Sequence, residues 1–307
     1  MNPQFPIYIV SKGRWESRLT ARALDAMGVH YFMVVEEQER DAYAAVIDEP
    51  YRVLVLPKEY QRDYDTFDRL GQAKSVGPGP ARNFAWDHSI SLGAAWHWVM
   101  DDNIRGFYRL NKNLKVQVTD GTILRAMEDF CLRYTNVAMA GPNYFMFASR
   151  KCLMPPMTLN TRVYSCNLIR NDVPFRWRGR YNEDTDLSLR MLKGKWATVL
   201  FNAFLQFKET TQKLKGGNTD AFYAKEGTLP KSQMLVAMHP DVAKLSWRFG
   251  RHHHHVNYRP FKSTKLIRRP NVVVSSAVDN YGMELKRLPP TKAQLARKSS
   301  RKALELA

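Results

Sequence analysis

Five carboxylates stand in two tight clusters within an otherwise basic chain. One cluster is Asp101-Asp102-Asn103, in "MDDN"; the other is Asn182-Glu183-Asp184-Thr185-Asp186, in "RYNEDTDLSLRML". Two acids beside an amide make an oxygen-rich corner, which suits hard divalent ions such as Mg²⁺ or Mn²⁺. The same residue types also build ordinary turns. The second cluster carries two readings as well. Acids in the first turn of a helix are favoured by its dipole, by about 0.3–1 kcal/mol each, and Asn182 or Asp184 would serve as a cap. Alternatively, a carboxylate crowded by others has a raised pKa, as a general base working near neutral pH requires. Arg176, Arg178, Arg180 and Arg190 push in the opposite direction.

Cationic and imidazole groups are the other candidates. Ser11, Lys12, Gly13 and Arg14 follow the first apolar run; a loop there contacts a nucleotide, with Arg14 on a phosphate or a base, or is a solvated basic turn. Arg82 and Asn83, in "GPARNFAW", stand at a helix start, either as an anion site or as an exposed first turn. No Gly-Lys-Ser/Thr follows "GPGP", so it is not a Walker loop. His252 to His255 lie inside the chain rather than at an end, which argues against a purification tag. Alternate residues of an extended chain face opposite ways, so one or two of these histidines at most would meet one metal ion.

These groups need elements to hold them. "PIYIV", "HYFMVV" and "RVLVLP" read as strands, and "ESRLTARALDAMG" between the first two reads as a helix stopped by Gly28. Strand, helix, strand at this spacing predicts a parallel α/β sheet. A Gly/Pro loop then leads into a helix from Ala81, followed by the buried strand "AWHWVM" ending at Asp101. Ligands in open α/β sheets sit at the carboxyl ends of strands, so Asp101 and Asp102 occupy a functional place. Further on, "DGTILRAMEDFCLRY" is a helix capped by Asp120, "NVAMAG" and "NYFMFAS" are two strands, a helix starts at "NEDTD", and "ATVLFNAFLQF" is a strand.

The composition bounds the class. At 307 residues and 44% hydrophobic, the chain buries a sizeable core. It has no run of about 18 apolar residues and no leader pattern. Three cysteines without CxxC spacing fit a reducing cytoplasm rather than a disulfide framework. The formal charge of +18 suggests a polyanionic partner, with solubility as the plain alternative.

Taken in order, "GPARNFAW", "MDDN", "GPNYFMF", "RWRGRYNEDTDLSLRML" and "HHHHVNYRPF" resemble the TET-associated glycosyltransferase family of bacteriophages, over roughly Ile7 to Phe261. The resemblance implies a GT-A fold: α/β, Rossmann-like, with a mostly parallel central sheet flanked by helices, here with a basic C-terminal extension. Residues 1–245 would form the transferase domain, with 1–105 as the nucleotide-sugar half and 106–245 as the acceptor half. Residues 246–307 would be a basic segment ending in a flexible tail. The implied reaction is metal-dependent transfer from a UDP-sugar to 5-hydroxymethylpyrimidines in DNA, with inversion, in the cytoplasm (the host's, if phage-encoded).

The same resemblance assigns roles. Asp184 would be the base, with Glu183 and Asp186 beside it. Asp101 and Asp102 would hold Mn²⁺ or Mg²⁺; the family's third metal position is Asn103 here, a weaker ligand, so His253 or His254 would complete the shell. Ser11, Arg14, Arg82, Asn83 and Asp101 would touch the donor, and Gly216 and Gly217, in "KLKGGN", would close over it. A protein or glycan acceptor, or nucleic-acid binding without catalysis, are the alternatives.

Overall fold

The computed structural model describes residues 1–67, 77–111, 113–149, 154–209, 229–248 and 250–273. Gly216, Gly217, Cys152 and the tail beyond Val273 lie outside these. The first strands are β1 (Ile7–Val10), β2 (Phe32–Val35), β3 (Val53–Val55) and β4 (Trp96–Asp101). They are followed by β5 (Ile104–Asn111), β6 (Leu114–Gln117), β7 (Val137–Tyr144), β8 (Met157–Leu159), β9 (Cys166–Arg170) and β10 (Ala197–Lys208). These form one ten-stranded sheet in the order β3-β2-β1-β4-β9-β7-β10-β5-β6, with β8 also paired to β10. Strands β3, β2, β1 and β4 run parallel, as do β7 and β10, while β9 is reversed between β4 and β7. The expected α/β class with a largely parallel sheet holds.

The helices are α1 (Leu19–Ala26), α2 (Arg40–Ala44), α3 (Lys58–Arg62), α4 (Gly79–Ser91), α5 (Thr122–Leu132), α6 (Glu183–Lys193) and α7 (Leu229–Met238). Alternation along the strands explains the two helix layers. Ile7, Ile9, Met33, Trp98 and Met100 pack against α1 and α5 through Leu24, Leu124 and Met127. Tyr8, Val10, Val34 and Val99 pack against α4 and α6 through Trp86, Leu187 and Met191. Strands buried on both faces read as unbroken apolar runs, which is why "PIYIV" and "AWHWVM" were legible. No helix among the described residues is long and apolar enough to cross a membrane.

Three local expectations change. "NVAMAG" and "NYFMFAS" are not two strands: β7 runs unbroken through Val137–Tyr144, and Phe145–Phe147 is a 3₁₀ turn. Its pairing with β9 ends at Ala140. Pro142 has no N–H to donate, and a Cβ on Gly141 would lie 2.1 Å from the Cys166 carbonyl oxygen. At α5, Gly121 takes the cap position, and Asp120 Oδ1 still accepts from the Thr122 amide at 2.9 Å. The boundary drawn after residue 245 falls inside a strand. Strand β11 (Ala243–Arg248) pairs with β12 (Arg251–Val256), which contains the histidine run. The chain beyond then straps back onto the body, with Thr135 donating to the Ile267 carbonyl at 2.8 Å and Asn160 to that of Phe261 at 2.9 Å.

Candidate active site

The register of the central strands assembles the site. Val10 lies opposite Asp101 in the parallel pair β1–β4, so the Ser11–Arg14 loop emerges beside Asp101 and Asp102. Strand β9 runs the other way and therefore starts at this same edge, bringing Ser165 and Asn167. Strand β10 ends there with Lys208. These groups share one cavity of about 630 Å³, whose walls include Ser11, Arg14, Arg82, Asp101, Asp102, Asn103, Glu183, Asp184, Lys208, His253 and His254.

Arg82 is the hub. Its side chain is buried, and its Nη1 donates to Asp184 Oδ1 at 2.6 Å and lies 3.2 Å from Glu183 Oε1. Its Nη2 donates to Asp101 Oδ1 at 2.7 Å, and the guanidinium stacks over Trp177 at 4.5 Å. One cation thus ties the two acidic clusters together. Lys208 Nζ donates to the other oxygen of Asp101 at 2.5 Å and to Ser165 Oγ at 2.7 Å. Arg14 Nη1 and Ser11 Oγ donate to the two oxygens of Asp102, at 2.5 and 2.7 Å.

This network sets the protonation states. Burial alone would raise Asp101, but Lys208 and Arg82 outweigh it and hold the carboxyl below its usual range. At Asp102 burial outweighs Arg14 and the pKa is raised. Burial pushes Glu183 up to about 7, against Arg82 and with the help of Asp184. Burial also raises Asp184 against the charges of Arg82 and Lys208. The buried acid pair therefore exchanges protons closer to neutrality than ordinary carboxyls do, the condition for acid–base work. Asp184 Oδ2 also accepts from the Ser165 amide at 3.4 Å. Ser165 holds a left-handed backbone, φ +67°, a costly conformation for a serine.

The helix that carries the acids explains why three sit together. Asn182 occupies the cap position with φ +54° and makes no side-chain capping bond; its amide donates instead to the Lys231 carbonyl at 2.7 Å. Asp184 is the second helical residue and caps nothing, so the dipole rather than a cap favours the acids. About 200° separates Asp184 from Asp186 around the helix. Asp186 consequently faces away from the cavity and is fully buried. Burial would raise its pKa, but His239 at 2.9 Å, Arg178 at 3.1 Å and Arg190 at 3.4 Å hold it below the usual range. Asp186 thus fastens α6 to the chain on either side, and Arg178 and Arg190 are spent on it.

Not every expected residue faces the cavity. Both polar atoms of Asn83 are occupied by the backbone of Trp177, at 2.9 and 3.0 Å, and Asn83 is absent from the cavity wall. Its expected donor contact is corrected to a clamp that holds Trp177 under Arg82. Ser11 and Arg14 do reach the cavity, where they position Asp102.

Several wall residues escaped the sequence reading. Lys208 closes "ATVLFNAFLQFK", and the strand-end rule that found Asp101 would have found it too. Tyr144 and Tyr164 stack at 4.8 Å with 8° between planes, and Arg162 lies 4.6 Å over Tyr164. Nothing in their local sequence marks these as a platform. Val10, Val34, Leu56 and Glu36 extend the cavity over β1 and β2 as a mostly apolar slot.

A divalent ion fits here only as a partial site. Among the described residues no three His, Cys, Asp or Glu side chains converge as a cage. Asp101 and Asp102 supply carboxylates, and Asn103 Oδ1 and His254 Nδ1 are buried without hydrogen-bond partners among the described residues. Burial lowers His254 to about 4, leaving the neutral imidazole a ligand requires. A pair of carboxylates completed by substrate phosphates is a usual Mg²⁺ arrangement.

Residues 5–217 match the family model described as TET-Associated Glycosyltransferase. No curated protein matches the chain.

Proposed function

The chain belongs to the TET-associated glycosyltransferase family and is a glycosyltransferase, which implies a nucleotide-sugar donor and an acceptor; from that premise we propose that it transfers a sugar from a UDP-sugar to the hydroxymethyl oxygen of a 5-hydroxymethylpyrimidine in DNA. The observation that carries this reading is the single cavity in which Arg82 joins Asp101 to Glu183 and Asp184. The slot over β1 and β2 suits a flat pyrimidine base, with Glu36 at its polar end. The donor diphosphate then falls near Arg14, Arg82 and Lys208. When bound at Asp101 and Asp102, with Asn103 and His253 or His254 nearby, Mn²⁺ or Mg²⁺ would supply further neutralisation of the leaving phosphates.

Asp184 takes the proton of the acceptor hydroxyl as its oxygen attacks the anomeric carbon. The bond from that carbon to the phosphate oxygen breaks, and UDP leaves with the electron pair. One displacement inverts the configuration. Glu183 shares the proton balance of the pair, and Arg82 keeps Asp184 oriented. The net charge of +18 supports a polyanionic acceptor such as DNA. Gly216 and Gly217 as a closing loop, and the basic tail as an arm on DNA, belong to the same reading.

The test is incubation with a panel of UDP-sugars and with hydroxymethylated or unmodified DNA, read by mass spectrometry. Sugar added only to hydroxymethylated DNA supports the proposal, and transfer to glycan or protein but not DNA overturns the acceptor. Asp184→Asn should lower kcat by about 10²- to 10⁴-fold; a folded variant at full rate removes Asp184 as the base.

A further inference from the structure

Strands β11 and β12 form a two-stranded sheet separate from the central one. Six register pairs join them, from Ala243↔Val256 at the root to Arg248↔Arg251 at the tip. The root packs against the body through Val242 and Val256, which meet Leu189, Leu192 and Phe261. Midway, His253 and His254 reach the wall of the catalytic cavity. The tip projects outward, and there Trp247 is 65% exposed.

Three features of this ribbon are not used by any contact among the described residues. Residues 243–256 include Lys244, Arg248 and Arg251 but no Asp or Glu. None of these three cations has an ion-pair partner among the described residues. The last rung sets Arg248 directly opposite Arg251, and like charges across a strand pair are destabilising. Arg251 also depresses Lys231, after burial, through its charge. Beside that rung, the ring contact of Trp247 among the described residues is edge-on with His252, with centroids 4.9 Å apart. The tip thus offers an exposed indole on one ribbon face and, one rung on, two cations on the other without ion-pair partners among the described residues, a means of stacking on a nucleobase while holding phosphates. A two-stranded ribbon is also one of the two elements that the major groove of DNA admits.

We propose that the β11–β12 ribbon is the acceptor-docking element, with Arg248 and Arg251 on DNA phosphates and Trp247 stacked on a base next to the one being modified. This rests on the acceptor assignment above and adds the surface that delivers DNA to the cavity. The hydroxymethyl group of a pyrimidine lies in the same groove the ribbon would enter. Midway along the ribbon His253 and His254 already border the reaction centre, so docking at the tip and transfer beside the middle of β12 use one continuous element.

The test measures binding rather than turnover. Full-length protein carrying Asp184→Asn is titrated into a fluorescein-labelled hydroxymethylated duplex, followed by anisotropy across a salt series. Trp247→Ala and the double variant Arg248→Ala/Arg251→Ala are compared in that background. UDP binding by calorimetry reports that each variant remains folded. Trp247→Ala should weaken DNA binding at least about 5-fold and leave binding to heparin, which has no bases, unchanged. The arginine pair should reduce the slope of log K against log salt by about 2, near 0.9 for each phosphate contact. If parent and variants bind DNA with the same affinity and slope, the ribbon is not the docking element although DNA remains the acceptor. If the parent binds no DNA, the acceptor assignment itself falls and the ribbon proposal falls with it. Equal loss on heparin and DNA in Trp247→Ala overturns base stacking.

Discussion

Arg82→Met is the most informative single perturbation. Arg82 contacts Asp184 at 2.6 Å, Asp101 at 2.7 Å and Glu183 at 3.2 Å from a buried position. Removing one partner of a buried ion pair costs about 3–5 kcal/mol, because the other charge is left without compensation. Here three carboxylates are left, and Lys208 still serves only Asp101 among them through a direct bond. The loss at pH 7.5 should therefore lie at the upper end of that range. The sign of its pH dependence follows from the same geometry. Without Arg82, the folded-state pKa values of Asp184 and Glu183 rise further above their unfolded values, so the folded variant binds protons that the unfolded chain does not. Its stability then falls as pH rises, by about 1.4 kcal/mol per pH unit for each such proton. Urea denaturation at pH 5.5, 6.5 and 7.5 measures this, and the gap to the parent protein should narrow towards pH 5.5. Arg82→Lys, which keeps the charge but loses the fork, should fall between the two. A loss under about 1 kcal/mol at pH 7.5, or a gap that does not change with pH, would refute the hub.

Transfer rate should rise with pH through a limb near 7, and Glu183→Gln should displace that limb, because burial raises Glu183 to about 7; a pH–rate profile unchanged by the substitution would contradict it. Asn83→Ala should lower stability by about 1–3 kcal/mol, through the stranded Trp177 backbone groups, and leave UDP affinity intact; calorimetry showing weaker UDP binding would restore a direct donor contact. EDTA should suppress transfer and Mn²⁺ or Mg²⁺ restore it, while Lys208→Met should weaken UDP binding even with saturating metal; full transfer after chelation removes the ion from Asp101 and Asp102.

The side of the cavity formed by β1 to β4 was largely legible because its strands are apolar on both faces and stop abruptly at polar residues. Asp101, Ser11 and Arg14 were found that way, by position at strand ends. The side formed by α6, β9 and β10 was less so. Asp184 and Asp186 look equivalent in sequence, yet the helical turn between them sends one to the cavity and the other to His239. Asn83 looked like an anion contact because helix starts attract anions, but its amide matches the Trp177 backbone. Lys208 was open to the same strand-end rule, whereas Ser165 and the Tyr144–Tyr164 stack depend on strand order, above all on the reversal of β9, which no local pattern announces. The histidine run forms β12, and its pairing with β11 carries no local signal, since four identical polar residues show no alternation.

The reversal of β9 has a consequence for how the protein can be taken apart. β4 belongs to the half expected to bind the donor, and its outer neighbour β9 comes from the other half, more than sixty residues later. If the chain were cut after residue 105, β4 would become an open edge whose Trp96, Trp98, Val99 and Met100 are buried in the intact protein. Such an edge recruits other strands and aggregates. The two expected halves share one sheet and are not separable modules, so a fragment ending at residue 105 should be insoluble, and any chimera exchanging the second half must carry a matching β9.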